Sequence, residues 1–211
     1  MIRRTRAVLA TDPQMSAPEH YRLFIAIRMP EQIKDAVAAA QSELREALPE
    51  RGVTWTKREQ LHLTLKFLGN VDAQCVDALN EQLHTACHGF APLTLRAQRV
   101  GAFPNSRFPR VVWAGLSDAE GQLLKVQSAV EAASQTFTVL EPEKKFTGHV
   151  TLGRAKRINR RDSQVLSGLL TDMADRCFGQ WTAGEIELMR SELAADGARH
   201  TSIGTVHLSG A

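Results

Sequence analysis

Cysteine is scarce in this 211-residue chain, and the three present, Cys75, Cys87 and Cys177, are odd in number, widely spaced and free of any C-x-x-C. That excludes a disulfide framework and a zinc ribbon, and makes a reducing cytoplasm the expected compartment. Long hydrophobic runs are missing as well. Arg3, Arg4 and Arg6 are followed only by Ala7 to Ala10, too short for a secretory signal, and no later stretch approaches a membrane span. A strong charge of either sign is also lacking: 26 Lys and Arg stand against 23 Asp and Glu, for a formal +3. Such a bias alone does not imply nucleic-acid binding. With 43% hydrophobic residues, the composition is that of a globular protein with a real core.

The positive charge is unevenly placed. Arg107 and Arg110, then Lys144 and Lys145, then Arg154, Lys156, Arg157, Arg160 and Arg161 form clusters in the second half; for Arg160 and Arg161 a solvated face is the simpler reading. Residues 1–20 read as a flexible leader, in which Met15 opens a second plausible start. Residues 21–211 read as a single domain.

The most informative feature is a repeat. Leu61-His62-Leu63-Thr64-Leu65 and Gly148-His149-Val150-Thr151-Leu152 share a His-aliphatic-Thr-Leu pattern 87 positions apart. By chance the four-residue pattern should occur on the order of once per tens of thousands of positions, so two copies here are not coincidental. Each stretch alternates in the manner of a strand, on which positions i and i+2 share a face. His62 with Thr64, and His149 with Thr151, therefore present two imidazoles and two hydroxyls to a common cleft. That set supplies an acid, a base and neutral hydrogen-bond donors, and suits an anionic substrate such as a phosphodiester without requiring a metal. The competing reading is a satisfied core histidine in each strand, with Thr present for β propensity.

Around the repeat, Arg22 to Arg28 reads as a buried strand. Pro30 then opens a helix striped by Ile33, Val37, Ala40, Leu44 and Leu48. Strands are expected at Thr54 to Thr56 and Leu61 to Leu68, with Gly69-Asn70 as a turn and Asp72 as a cap. A second helix should run to about His88, and paired strands should span Leu93 to Val100 and Val111 to Leu116. Ser117 and Glu120 match a capping box for a third helix ending near Gln135. A fourth helix near Asp162 to Arg176 and strands near Gly184 to Leu193 and His200 to Leu208 complete the chain. Helices alternate with pairs of strands, which gives an α+β fold of largely antiparallel sheet. With one motif copy in each half, the pattern suggests two pseudo-symmetric lobes with outer helices, meeting where the motif strands meet.

Taken together, Arg22-Leu-Phe-Ile-Ala-Ile27, Leu61-His-Leu-Thr-Leu-Lys-Phe-Leu-Gly69, Phe103-Pro-Asn-Ser-Arg-Phe-Pro-Arg-Val-Val-Trp113 and His149-Val-Thr-Leu-Gly-Arg154 resemble the two-histidine phosphoesterase superfamily. Within it the chain is similar to the bacterial RNA 2′,3′-cyclic phosphodiesterase family, also called the 2′-5′ RNA ligase family. Thr147-Gly148 departs from the Pro-His often found there, which should alter local backbone without removing a catalytic group. The resemblance implies a bilobal fold with its active cleft between the lobes, and hydrolysis of a 2′,3′-cyclic phosphate to a 2′-phosphomonoester. It makes His62 the acid for the leaving 3′ oxygen and His149 the base for water, with Thr64, Thr151 and Arg154 binding the phosphate. It also implies RNA with cyclic phosphate ends, or cyclic nucleotides, as the substrate, no cofactor, no metal, no membrane and a monomer.

Phe24 and Trp55 could stack on a base, against core packing as the plainer role for each. Arg110 could line the cleft or sit in a solvated ion pair. His84 and His88, four apart beside Cys87, could face one side of a helix as metal ligands do, but a third and fourth ligand are missing nearby. His20, His200 and His207 read as structural or solvent-exposed. Two other activities use similar residues. One is joining or cleaving 2′-5′ linkages on the same histidines, which water at ~55 M disfavours for joining unless a 5′-hydroxyl is held in place. The other is binding RNA ends with little turnover, through phosphate contacts.

Overall fold

A computed structural model describes residues 19–49, 52–142, 144–156, 158–195 and 197–210. Its elements run β1 (His20–Arg28), α1 (Glu31–Ala47), β2 (Val53–Trp55), β3 (His62–Asp72), α2 (Val76–Cys87), β4 (Leu93–Phe103), β5 (Val111–Ser117), α3 (Gln122–Ser134), β6 (His149–Ala155), α4 (Arg160–Asp172), β7 (Cys177–Ala183), β8 (Glu185–Ala194) and β9 (Gly197–His207). The strands form one nine-stranded sheet in the order β7-β4-β5-β6-β3-β1-β8-β9, with β2 on β6. Every pairing is antiparallel, as the alternation of helices with strand pairs implies.

The motif strands β3 and β6 are neighbours at the centre of this sheet, yet only Leu63 and Val150 pair between them. The sheet thus falls into two groups, β3-β1-β8-β9 and β6-β5-β4-β7 with β2, joined at one thin seam. Leu63, Leu65, Val150 and Leu152 point into the core and are essentially inaccessible. Because strand side chains alternate, His62, Thr64, His149 and Thr151 are sent to the opposite face.

The groups are not halves of the chain. β8 and β9, from the C-terminal end, extend the group begun by β1 and β3, while α1, from the N-terminal end, packs on β7 and α4 of the other group. In α1 the side chains of Ile33, Val37, Ala40 and Leu44 are buried at steps of three and four, one apolar stripe facing the core. Helix α3 backs β3, where the buried Lys66 is bonded to Glu131. Gln127 reaches the Leu65 carbonyl at 3.5 Å and Glu131 Oε2 at 3.4 Å. A buried cation needs such a partner, and removing it would cost about 3–5 kcal/mol.

Several expectations are corrected. His20 belongs to β1, paired with Asp72; residues 1–18, Met15 among them, lie outside the described residues, as does Arg157. Gly69 and Asn70 form no turn. β3 continues through them, with Gly69 at φ 72° next to a register shift that a residue with a Cβ would strain. The capping box is not used: Asp118 takes the amides of Glu120 at 2.9 Å and Leu123 at 2.6 Å, and α3 starts at Gln122. Helix α4 begins at Arg160, capped by Asn159, and is followed by the unanticipated strand β7.

Candidate active site

A turn of 3₁₀ helix at Arg58–Gln60 delivers the chain into β3 so that the Gln60 carbonyl lies 2.7 Å from His62 Nδ1. On β6 the Thr147 carbonyl stands in the same relation to His149 Nδ1, again at 2.7 Å. A carbonyl can only accept, so each ring carries its proton on Nδ1 and turns Nε2 to the open face. In both strands the acceptor is two residues before the histidine. Gly148 makes the second arrangement possible, because a Cβ there would come within 2.9 Å of the Leu116 carbonyl.

The two sites then diverge. His62 Nε2 lies 3.0 Å from the Thr64 hydroxyl. Its ring stacks on Phe24, with centroids 4.9 Å apart, and meets the edge of His200 at 5.7 Å. Burial pulls the His62 pKa down to about 4; the Gln60 bond acts the other way, and charge on His200, Lys34 and His149 adds to the fall. His62 is thus a neutral imidazole near pH 7. His149 meets Phe103 edge-on, with centroids 5.2 Å apart, and no bond to it from the Thr151 hydroxyl is found among the described residues.

A pocket of about 200 Å³ is lined by Thr56, Gln60, His62, Thr64, Thr151, Arg154 and His200. A second, of about 460 Å³, is lined by His149, Phe103, Lys145, Phe146 and Thr147, and shares Thr64 with the first. The structure therefore brings together His62, Thr64, His149, Thr151 and Arg154. It does not bring Arg110, which is exposed and lines neither pocket. Phe24 is at the site but only 4% exposed: it supports the His62 ring and offers no face to a base. Trp55 packs against the core, over Gly153, where any Cβ would meet its ring at 2.8 Å.

His200 was expected to be structural or exposed and instead lines the pocket, its ring also edge-on to Phe24 at 4.9 Å. Burial lowers its pKa, against a bond with the Arg199 backbone. Gln60, which no local pattern marks, lines the first pocket, and Lys145, from one of the basic clusters, lines the second. His84 and His88 stack on each other at 5.8 Å, and burial pushes the Cys87 thiol up to about 11. Among the described residues no cluster of three or more His, Cys, Asp or Glu could hold a metal ion, and no helix is long and apolar enough to cross a membrane.

Residues 27–113 match the LigT-like phosphoesterase family, a span that takes in His62 and ends before His149. An RNA 2′,3′-cyclic phosphodiesterase of Methanocaldococcus jannaschii is 30% identical over 83% of this chain and 94% of its own length. One from Thermus thermophilus is 33% identical over 90% of this chain and 91% of its own. Among solved structures, a Thermus thermophilus protein superposes with a TM-score of 0.73 at 30% identity, covering 90% of this chain and 98% of that one. Escherichia coli LigT complexed with 3′-AMP shares the fold, with a TM-score of 0.70 at 23% identity over 90% of this chain and 99% of its own. Identity at this level along most of both chains, with the family match through the first histidine strand, makes the protein a member of the LigT-like phosphoesterase family.

Proposed function

We propose that the protein hydrolyses RNA 2′,3′-cyclic phosphate ends to 2′-phosphomonoesters by metal-independent acid/base catalysis from His62 and His149. The observation that carries this reading is the pairing of two histidines across one seam, each with Nδ1 tied to a carbonyl and Nε2 turned to the open face. Relatives that align along most of the chain carry the name RNA 2′,3′-cyclic phosphodiesterase. We read residues 21–211 as a single bilobal domain that acts as a monomer.

In the proposed reaction His149 Nε2 takes a proton from water as the water oxygen bonds to phosphorus. The bond from phosphorus to the 3′ oxygen breaks, and His62 Nε2 gives that oxygen its proton, leaving the phosphate on the 2′ oxygen. Thr64, Thr151 and the planar fork of Arg154 hold the non-bridging oxygens, where charge accumulates. His62 on its own is neutral near pH 7, so its acid role requires the anionic substrate to raise its pKa on binding.

Chelator-treated protein incubated with RNA ending in a cyclic phosphate should give 2′-phosphate ends, resolved from 3′-phosphate ends, and His62→Ala should not. An unchanged cyclic end alongside tight RNA binding would replace hydrolysis with a binding role. Loss of activity on chelation, restored by a metal, would remove the metal-free part.

A further inference from the structure

A cavity of about 750 Å³ lies outside both histidine pockets, between the loop joining β4 to β5 and the first turns of α4. Ser106, Arg107 and Phe108 form one wall, with Arg160, Ser163 and Gln164 opposite. The loop is held in shape: Asn105 Oδ1 accepts the amides of Arg107 at 3.1 Å and Phe108 at 3.0 Å, and Ser167 donates its hydroxyl to Ser106 at 3.0 Å. That frame keeps Phe108 75% exposed, although burying a ring of this size would be favourable.

Two of the lining side chains, Arg107 and Arg160, are cations. Arg28, Lys34, Arg58, Lys66, Arg176 and Arg190 each meet a carboxylate. Arg107 and Arg160 meet none among the described residues, although Asp162 lies in the same turn as Arg160. The loop departs from the second histidine pocket and rejoins the sheet beside β6. Phe103, where the loop departs, touches the His149 ring. Arg110, where it rejoins the sheet, accepts the Ala155 amide at 3.0 Å, next to Arg154 in the histidine pocket. A polynucleotide whose terminal cyclic phosphate sits between the histidines can continue only in the 5′ direction, and the loop that walls this groove is joined to the histidine pockets through Phe103.

We propose that the groove is a second subsite, resting on the phosphodiesterase reading, which holds the single-stranded RNA 5′ to the cyclic end. Arg107 and Arg160 contact backbone phosphates, for which the guanidinium fork is suited, and Phe108 stacks on an unpaired base. The site then favours a polynucleotide end over a cyclic mononucleotide, while the histidines treat the two alike.

The test uses the full chain as parent, the double variant Arg107→Ala/Arg160→Ala, and Phe108→Ala. Each is assayed on a 2′,3′-cyclic mononucleotide and on a short single-stranded RNA with the same cyclic end. Both variants should lose about tenfold or more in kcat/KM on the RNA and stay within about twofold of the parent on the mononucleotide. Binding of a fluorescent short RNA, followed by anisotropy against salt, should show a shallower slope by about 1.4 for the double variant, the value for two single-strand phosphate contacts. Phe108→Ala should weaken binding with the slope unchanged. Equal losses on both substrates, or RNA affinity and slope unchanged in the double variant, would overturn the proposal. A parent inactive on both substrates would instead remove the phosphodiesterase reading, and the anisotropy would still decide whether the groove holds RNA.

Discussion

His62 and His149 occupy matching places on adjacent strands, and each gives its Nδ1 proton to a carbonyl two residues earlier at 2.7 Å. Their surroundings differ in almost every other respect. His62 lies on Phe24, beside His200 and under the Thr64 hydroxyl, buried enough to hold its pKa near 4. His149 meets the edge of Phe103 and opens into a roomier pocket with Lys145. Backbone geometry therefore sets the tautomer in both strands, while burial of the His62 ring makes it reluctant to take a second proton. A repeated motif read only as a pattern would treat the two as equivalent.

The largest effect tests that difference. His62→Ala and His149→Ala should each lose about 10²–10⁴-fold in kcat on a cyclic phosphate. A substrate analogue with sulfur in place of the 3′ oxygen separates their roles, because a thiol with pKa near 8.5 leaves as the thiolate without an acid. His62→Ala should recover most of its rate on that analogue and His149→Ala should not. Recovery in His149→Ala alone would reverse the polarity, a result that the neutral state of His62 also accommodates.

The next effect is on stability. An unfolded histidine titrates near pH 6.5 and the folded His62 near 4, so between those values the unfolded chain binds more protons. Stability should be unaffected by this ring above pH 6.5, fall as pH drops through the window, and level off below 4, for a total of about 3 kcal/mol. Denaturant unfolding at a series of pH values checks this against His62→Gln, which should lack that part of the slope. A matching slope in the variant would mean that His62 is not held neutral by the fold.

Much of this site was legible in the sequence because it depends on local alternation. The i, i+2 spacing of His62 with Thr64 and of His149 with Thr151 places each pair on one face wherever the strand goes, and the stripe of α1 reads just as directly. What was hidden depends on register between distant strands. His200 reaches the pocket because β9 pairs with β8, setting His200 opposite Ser191, and β8 pairs with β1, setting Met189 opposite Phe24. No local periodicity encodes two successive registers. β7 escaped notice for a related reason: it is an edge strand interrupted by Gly179, and its pairing with β4 makes it a strand more than its own composition does.

The hydroxyls should matter less than the rings. Thr64→Val and Thr151→Val each remove one donor to the developing phosphate charge, for a loss of about ten- to a hundredfold in kcat. Of the two, Thr64 is the one bonded to a histidine. Thr64→Val should therefore also change the titration of the His62 ring followed by NMR, and Thr151→Val should leave it alone. Equal titration curves in the two variants would show that the Thr64 bond does not persist in solution.

The smallest effect concerns the neighbour that has no counterpart at His149. His200→Phe keeps an aromatic ring against Phe24 and His62 while removing a group that can charge. Since charge on His200 is one of the causes lowering the His62 pKa, the variant should move that pKa upward, with kcat/KM changed by only about two- to fivefold because His200 is half-exposed and its field is screened. A downward move would mean that His200 acts on His62 mainly by admitting water to the ring. In that case the low pKa of His62 would arise from packing, and the charge that His200 can carry would have little part in it.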